Sequence, residues 1–236
     1  MSELLYQTDS YLREVKAVVV ATDGQAVALD RTVFFPGGGG QTADKGVIDA
    51  NGVQMEIGGL KRKGDTVWHS LKGTPPAEGA PVIARLDWGH RYQMMRTHTA
   101  FHILCGVIFR DYGALVTGGN MKPLQGRMDF ELEHITADFA AEVEASINKE
   151  VAAARPVRVR ILPREEAFQI HDLIRTRINL LPEGIREVRV VEIVGLDMQA
   201  DGGTHVANTE EVGHIQITGH ESKGKINKRL RIALDA

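Results

Sequence analysis

Over the first 90 or so residues apolar and polar positions alternate in short bursts. The segments REVKAVVVAT, QAVALDRTVFF, KGVIDANGVQMEI, DTVWHSL and APVIARLDW are rich in β-branched residues and are broken by DG, NG, KGD and TPP turn signals. Five or six short strands at this spacing predict a small sandwich or barrel. The run GGGGQTADKG, from Gly37 to Gly46, interrupts the series just after the apolar Phe34 and Phe35.

Beyond residue 90 the period lengthens. In HRYQMMRTHTAFHILCGVIFRDYG the residues Met94, Met95, His98, Phe101, His102, Cys105 and Ile108 or Phe109 recur at helical intervals, and Gly113 ends the run. A second helix is predicted over ITADFAAEVEASINKEVAAAR, with Thr136 as N-cap and Pro156 as terminator. PREEAFQI reads as a short helix with Pro163 near its first turn. GRMDFEL, PVRVRIL, REVRVVEIVGL, GHIQITG and KRLRIAL read as strands. The expected fold is therefore α+β: a small N-terminal β-barrel over residues 1–90, then an α+β domain with antiparallel sheet and packed helices over 91–236.

Composition changes this picture little. At 236 residues with 43% hydrophobic content the chain can bury a substantial core. The single cysteine, Cys105, excludes an internal disulfide and suits a reducing compartment. The N-terminal segment carries charge throughout and lacks the apolar stretch of a signal peptide, so a cytoplasmic protein is expected. The net charge of −3 argues against broad coating of nucleic acid, yet ESKGKINKRLRIAL concentrates Lys223, Lys225, Lys228, Arg229 and Arg231 against one glutamate. That tail is either a solvated edge strand and turn or a local basic patch.

Two clusters carry candidate chemistry. His98 and His102 stand four residues apart on a predicted helix, so their rings leave one face a turn apart and can share a metal ion. They can equally be a hydrogen-bonded core pair. No glutamate follows His98, so the metalloprotease pattern is absent. The second cluster is Asp201-Gly202-Gly203-Thr204-His205, after an apolar strand. Two glycines let Asp201 and His205 face a common point, although a Gly-Gly turn held by an Asx hydrogen bond also satisfies the sequence. Together the clusters supply three imidazoles and a carboxylate, a donor set for zinc or a related divalent ion.

HTAFH followed by DGGTHVANTEEVGHIQITGHESKGKINKRLRIAL resembles the editing domain of alanyl-tRNA synthetase and the freestanding alanyl-tRNA editing proteins. FFPGGGGQTADKG is similar to the glycine-rich motif of the longer members. The resemblance implies an N-terminal glycine-rich β-barrel followed by an editing domain. It also implies a zinc-dependent aminoacyl-tRNA deacylase that hydrolyses serine or glycine wrongly esterified to alanine tRNA. Its zinc ligands fall on His98, His102, Asp201 and His205, one Zn2+ per chain. The chain departs from the pattern at Asp201, where the family carries cysteine; a carboxylate is a harder ligand but still a competent one. Cys105 lies on the helix face of His98 and His102 and is a conceivable substitute, though a small buried apolar residue is the plainer reading.

The resemblance also places Lys223, Lys225, Lys228 and Arg229 near acceptor-stem phosphates, with Ser222 to Lys225 as the turn. Thr204 is counted among the substrate- or tRNA-binding residues, and Gly37, Gly38, Gly39 and Gly40 followed by Gln41 would let the backbone approach the terminal adenosine; a hairpin linker is the alternative for the glycine run. Two other functions fit the residues: a metal hydrolase of a small ester or amide, and a noncatalytic tRNA-binding protein with a degenerate metal site.

Overall fold

The computed structural model describes residues 2–176, 181 and 184–236. The chain divides into two compact units, Met1–Gln93 and Met94–Ala236.

In the first unit, β1 (Glu3–Leu4) pairs in parallel with β4 (Arg31–Thr32), while β2 (Glu14–Asp23), β3 (Ala26–Leu29), β5 (Gly46–Ala50), β6 (Val53–Lys63), β7 (Thr66–Leu71) and β8 (Pro81–Leu86) form a closed barrel in the order β2-β3-β7-β6-β5-β8. Closure removes exposed sheet edges. The turn signals act as the sequence predicts: Asn51 and Gly52 both take positive φ between β5 and β6, and Gly64 does so between β6 and β7. Alternate residues point inward, and Val19, Val27, Leu29, Phe34, Ile48, Ile57, Leu71 and Val82 fill the interior. Each such side chain contributes roughly 1.5–3 kcal/mol by leaving water.

Two polar devices sit in this apolar unit. Arg91 and Asp44 are both fully buried and form a bidentate pair; Arg91 also donates to the carbonyls of Ser10 (2.8 Å) and Val33 (2.6 Å). Asp44 accepts from the Phe35 amide at 2.6 Å, and its own amide donates to the Phe35 carbonyl at 3.0 Å. This closes the base of the glycine loop. Within the loop Gly37, Gly38, Gly39 and Gly40 all have positive φ, and Gly38 and Gln41 exchange backbone hydrogen bonds at 2.9 and 3.0 Å. Only glycine runs four such residues without strain. His69 is the second device: its Nδ1 donates to the Val27 carbonyl (3.2 Å) and its Nε2 accepts from the Thr32 hydroxyl (2.9 Å), which fixes a neutral ring in the barrel core.

The long helix α1 (Trp88–Tyr112) contains the boundary between the units and stops at Gly113, whose φ is +67°. In the second unit β9 (Val116–Lys122), β10 (Gln125–Phe130), β14 (Ile215–Gly224) and β15 (Asn227–Leu234) make an antiparallel sheet ordered β14-β15-β10-β9. Strands β11 (Val157–Pro163), β12 (Glu187–Ile193) and β13 (Asp197–Ala200) make a second. Helix α2 (Ala137–Ala152) is capped by Thr136, whose side chain accepts from the Phe139 amide, and it buries Ala140, Val143, Ile147 and Val151 along one face. Its Asn148 side chain pairs with both backbone groups of Ile215 on the edge strand β14. A four-residue helix, α3 (Arg164–Ala167), follows Pro163.

The architecture is thus a small barrel followed by α+β structure, with local differences from the sequence reading. VTGGNMK, not anticipated as a strand, is β9: its glycines break the apolar alternation, yet Gly119 and Gly126 lie against the Phe101 ring of α1, where a Cβ on Gly126 would come within 2.5 Å. DMQA, which follows the strand expected over REVRVVEIVGL and belongs to no expected element of its own, extends the second sheet as β13. Ser222 to Gly224 belong to β14, so the tail turn is tighter than expected and centres on Lys225 and Ile226.

Two expectations follow. Burial holds the His69 pKa down at about 4 against the opposing pull of the Val27 hydrogen bond. Between that value and its ordinary 6.5 the unfolded chain binds a proton that the folded chain does not, so His69 costs stability as pH falls through this window. In His69→Gln about 2 kcal/mol of the stability lost between pH 7 and pH 5 should vanish, as read by urea unfolding at each pH. Asp44→Ala should destabilise the barrel unit by about 3–5 kcal/mol in the same assay, because Arg91 would remain buried without its counter-charge.

Candidate metal centre

Helix α1 places His98 and His102 one turn apart with ring centroids separated by 5.3 Å. The segment after β13 supplies the other half. The Asp201 amide continues the ladder by donating to the Arg189 carbonyl (3.0 Å), and Arg189 Nη1 donates to the Asp201 carbonyl (2.9 Å). The Gly203 amide then donates to Asp201 Oδ1 (2.7 Å). That is the Asx turn, and it returns His205 to the same carboxylate, with Nε2 at 3.0 Å from Oδ1. The turn and the cluster are therefore one arrangement, not alternatives.

His98 Nε2 lies 3.4 Å and His102 Nε2 3.9 Å from Asp201 Oδ2. The His205 ring is 4.3 Å from His98 and 4.7 Å from His102 between centroids. One ligand atom from each of the four residues lies within 4.8 Å of every other. A tetrahedral ion with bonds of about 2.0–2.1 Å separates its ligand atoms by roughly 3.3 Å, so the four groups would draw together by up to about 1.5 Å around it. The three imidazoles each turn Nε2 inward, and Thr99 Oγ1 stands 3.3 Å from His205 Nδ1 on the outer side. Three buried imidazole nitrogens and one oxygen of the partly buried Asp201 carboxylate fit zinc or a related divalent ion.

Within the cluster, burial and the neighbouring charges pull in opposite directions. Burial opposes a charge on His102, but hydrogen bonds to Asp197 and Asp201 outweigh it and raise the pKa to about 9. Burial also opposes the Asp201 charge, yet the positive charge of His98 and the hydrogen bonds from the three imidazoles hold it well below the usual carboxylate range. Burial, together with repulsion from His98, pushes His205 well below its ordinary value.

Cys105 is buried and outside this group; burial and the charge of Asp197 push its thiol up. Thr204 is fully buried. Gly37 to Gln41 belong to the other unit, where Gln41 is buried. In the tail, Lys223 and Lys225 are exposed. Lys228, expected on the phosphate-facing surface, is instead buried: its ammonium donates to the carbonyls of Gly224 (2.6 Å) and Lys225 (2.9 Å) and holds the β14–β15 turn. Arg229 makes a bidentate pair with Asp129 at 2.6 and 2.8 Å. Sequence reasoning missed Asp197, whose Oδ2 lies 3.0 Å from His102 Nδ1. Its position in DMQA carries no motif signal.

Along nearly its whole length the chain is 38% identical to the alanyl-tRNA editing protein AlaX-M of Saccharolobus solfataricus, over 233 residues and 98% of each chain. It is 37% identical to the AlaX-M protein of Methanosarcina barkeri, over 99% of each. The chain belongs to the alanyl-tRNA editing protein family. It is also 39% identical to part of the alanine–tRNA ligase of Pyrobaculum neutrophilum, across 91% of this chain and 25% of the ligase. Residues 188–231 match the family model for the threonyl and alanyl tRNA synthetase second additional domain, and residues 7–90 match that for class II (A) tRNA synthetases. The first of these matches includes Asp201 and His205, and the second includes the glycine loop. Among the described residues no helix is long and apolar enough to cross a membrane.

Protein purified without chelator should carry close to one zinc per chain by elemental analysis. His98→Ala and His205→Ala should each lose most of it; full retention in both would refute the ligand assignment. Asp201→Ala should weaken retention and Asp201→Cys should preserve or tighten it. Cys105→Ser should leave metal content nearly intact, because the thiol lies outside the cluster.

Proposed function

We propose that this chain is a trans-editing aminoacyl-tRNA deacylase that hydrolyses the ester of serine or glycine mistakenly joined to alanine tRNA. The observation that carries the reading is a buried His98-His102-Asp201-His205 cluster in a chain that matches alanyl-tRNA editing proteins from end to end. Residues 91–236 form the editing domain and residues 1–90 the glycine-rich barrel domain. A zinc ion held by the four residues would supply a Lewis acid for an ester carbonyl and a site for lowering the pKa of water.

The chain's own residues set the remaining terms. Asp201 lies inside the ligand set, so it is not a free base. Asp197 is fully buried and engaged by His102 and by Gln199 Nε2 at 2.7 Å, so it is not one either. An aminoacyl ester is already activated, and hydrolysis here needs an oriented water and charge stabilisation more than a strong protein base. The substrate hydroxyls help to position that water. The glycine loop Gly37 to Gly40, followed by Gln41, offers bare backbone for close approach to the terminal adenosine. The exposed ammonium groups of Lys223 and Lys225 meet acceptor-stem phosphates, giving position and salt dependence but no sequence identity. Lys228 and Arg229 support that surface from within, through the turn carbonyls and Asp129. The setting is the cytoplasm, where charged tRNA is made.

The decisive assay compares deacylation of serine-charged and alanine-charged alanine tRNA; equal rates, or none on either, would overturn the reading. Lys223→Gln/Lys225→Gln should raise KM for the serine-charged tRNA with little change in kcat or metal content. The slope of log affinity against log salt should shrink by about 1–2 as two phosphate contacts are lost.

A further inference from the structure

Opposite the cluster, on the outer side of His102, lies a second carboxylate that nothing in the proposed chemistry uses. Asp197 is fully buried. Its Oδ2 stands 3.0 Å from His102 Nδ1 and accepts from Gln199 Nε2 at 2.7 Å, while Oδ1 faces Arg175 Nε at 3.5 Å. The Arg175 guanidinium sits over the Phe109 ring, with Cζ 3.6 Å from the ring centroid. A buried carboxylate carries a desolvation cost of several kcal/mol unless its surroundings answer the charge. Here an imidazole, an amide and a guanidinium do so.

The backbone is shaped to bring Asp197 to this position. Gly106 follows His102 by four residues and so shares its face of α1. A Cβ at Gly106 would sit 2.9 Å from Leu196 Cγ and 3.0 Å from Asp197 Cβ. Gly195, with φ of +76°, makes the turn that drops Leu196 and Asp197 against the helix between β12 and β13. A glycine inside a 25-residue helix costs about 1 kcal/mol relative to alanine, so close approach of the hairpin is the physical reason for it.

We propose that Asp197 is a positioning residue for the metal, holding His102 in the tautomer that offers Nε2 to the cluster, and that Gly106 is the notch that lets it reach. This rests on reading the cluster as a metal centre. Carboxylates behind histidine ligands raise ligand basicity and fix ring orientation, and their loss typically weakens metal binding about 10–100-fold. Asp197 does not touch substrate and acts only through His102.

The test begins with the zinc-loaded wild-type protein. Long-range proton–nitrogen correlation spectra should place the His102 proton on Nδ1 and leave Nε2 to the metal; coordination through Nδ1 would overturn the proposal. Asp197→Asn, which keeps shape but not charge, and Gly106→Ala, which pushes the hairpin away without removing a polar group, should each weaken zinc binding 10–100-fold in competition with a chelator. Asp197→Asn should also lower the melting temperature of the metal-free protein, because Arg175 loses its counter-charge, so zinc affinity is read well below that temperature. Lowered melting with unchanged zinc affinity would show a merely structural role and overturn the proposal. A wild-type protein that takes up no zinc would instead refute the metal reading on which it stands.

Discussion

Three imidazoles and two carboxylates withdrawn from water are the constraint around which the second unit is arranged. None of these groups is tolerated in a low-dielectric interior by itself. Asp201 is stabilised as an anion by His98, His102 and His205, and His102 is held between Asp201 and Asp197. The surrounding elements then fall into place as supports. α1 delivers two rings, the end of β13 delivers a carboxylate, and the Asx turn after it delivers the third ring. Gly106 allows the β12–β13 turn to approach closely enough for the network to close.

The barrel unit handles buried polarity differently. Its polar devices answer one another within the unit. Arg91 and Asp44 neutralise one another while tying down Ser10, Val33 and Phe35, so the glycine loop emerges from a fixed base. The loop itself needs four successive residues with positive φ, a demand that side chains would resist. Rigid base and bare backbone together suit close approach to a ligand, which is what the proposed adenosine contact requires.

The tail shows how one basic run divides into separate jobs. Lys228 is withdrawn into the turn, where its ammonium answers two carbonyls, and Arg229 is spent on Asp129 across the sheet. Lys223 and Lys225 stay in water. Alternation along β15 explains the split: Lys228, Leu230, Ile232 and Leu234 are buried while their neighbours are not. A count of positive charges could not have made that distinction.

The sequence by itself determined the period of each element, the NG and Gly113 stops, the Thr136 cap and the pairing of His98 with His102, because each depends on residues within a turn or two of one another. It also carried the order of motifs that marks the family. What it did not determine was which distant groups would meet. The strand β9 is legible only once Phe101 is seen to need Gly119 and Gly126 beneath it. Asp197 gains meaning only from its 3.0 Å contact with a histidine 95 residues earlier. Joining Asp201 and His205 to the α1 pair required the segment from Leu196 to Asp197 to come against the helix at Gly106 and His102. Local hydrogen bonds and side-chain period are written in neighbouring residues; desolvated contacts between remote ones exist only after the chain has closed its cores.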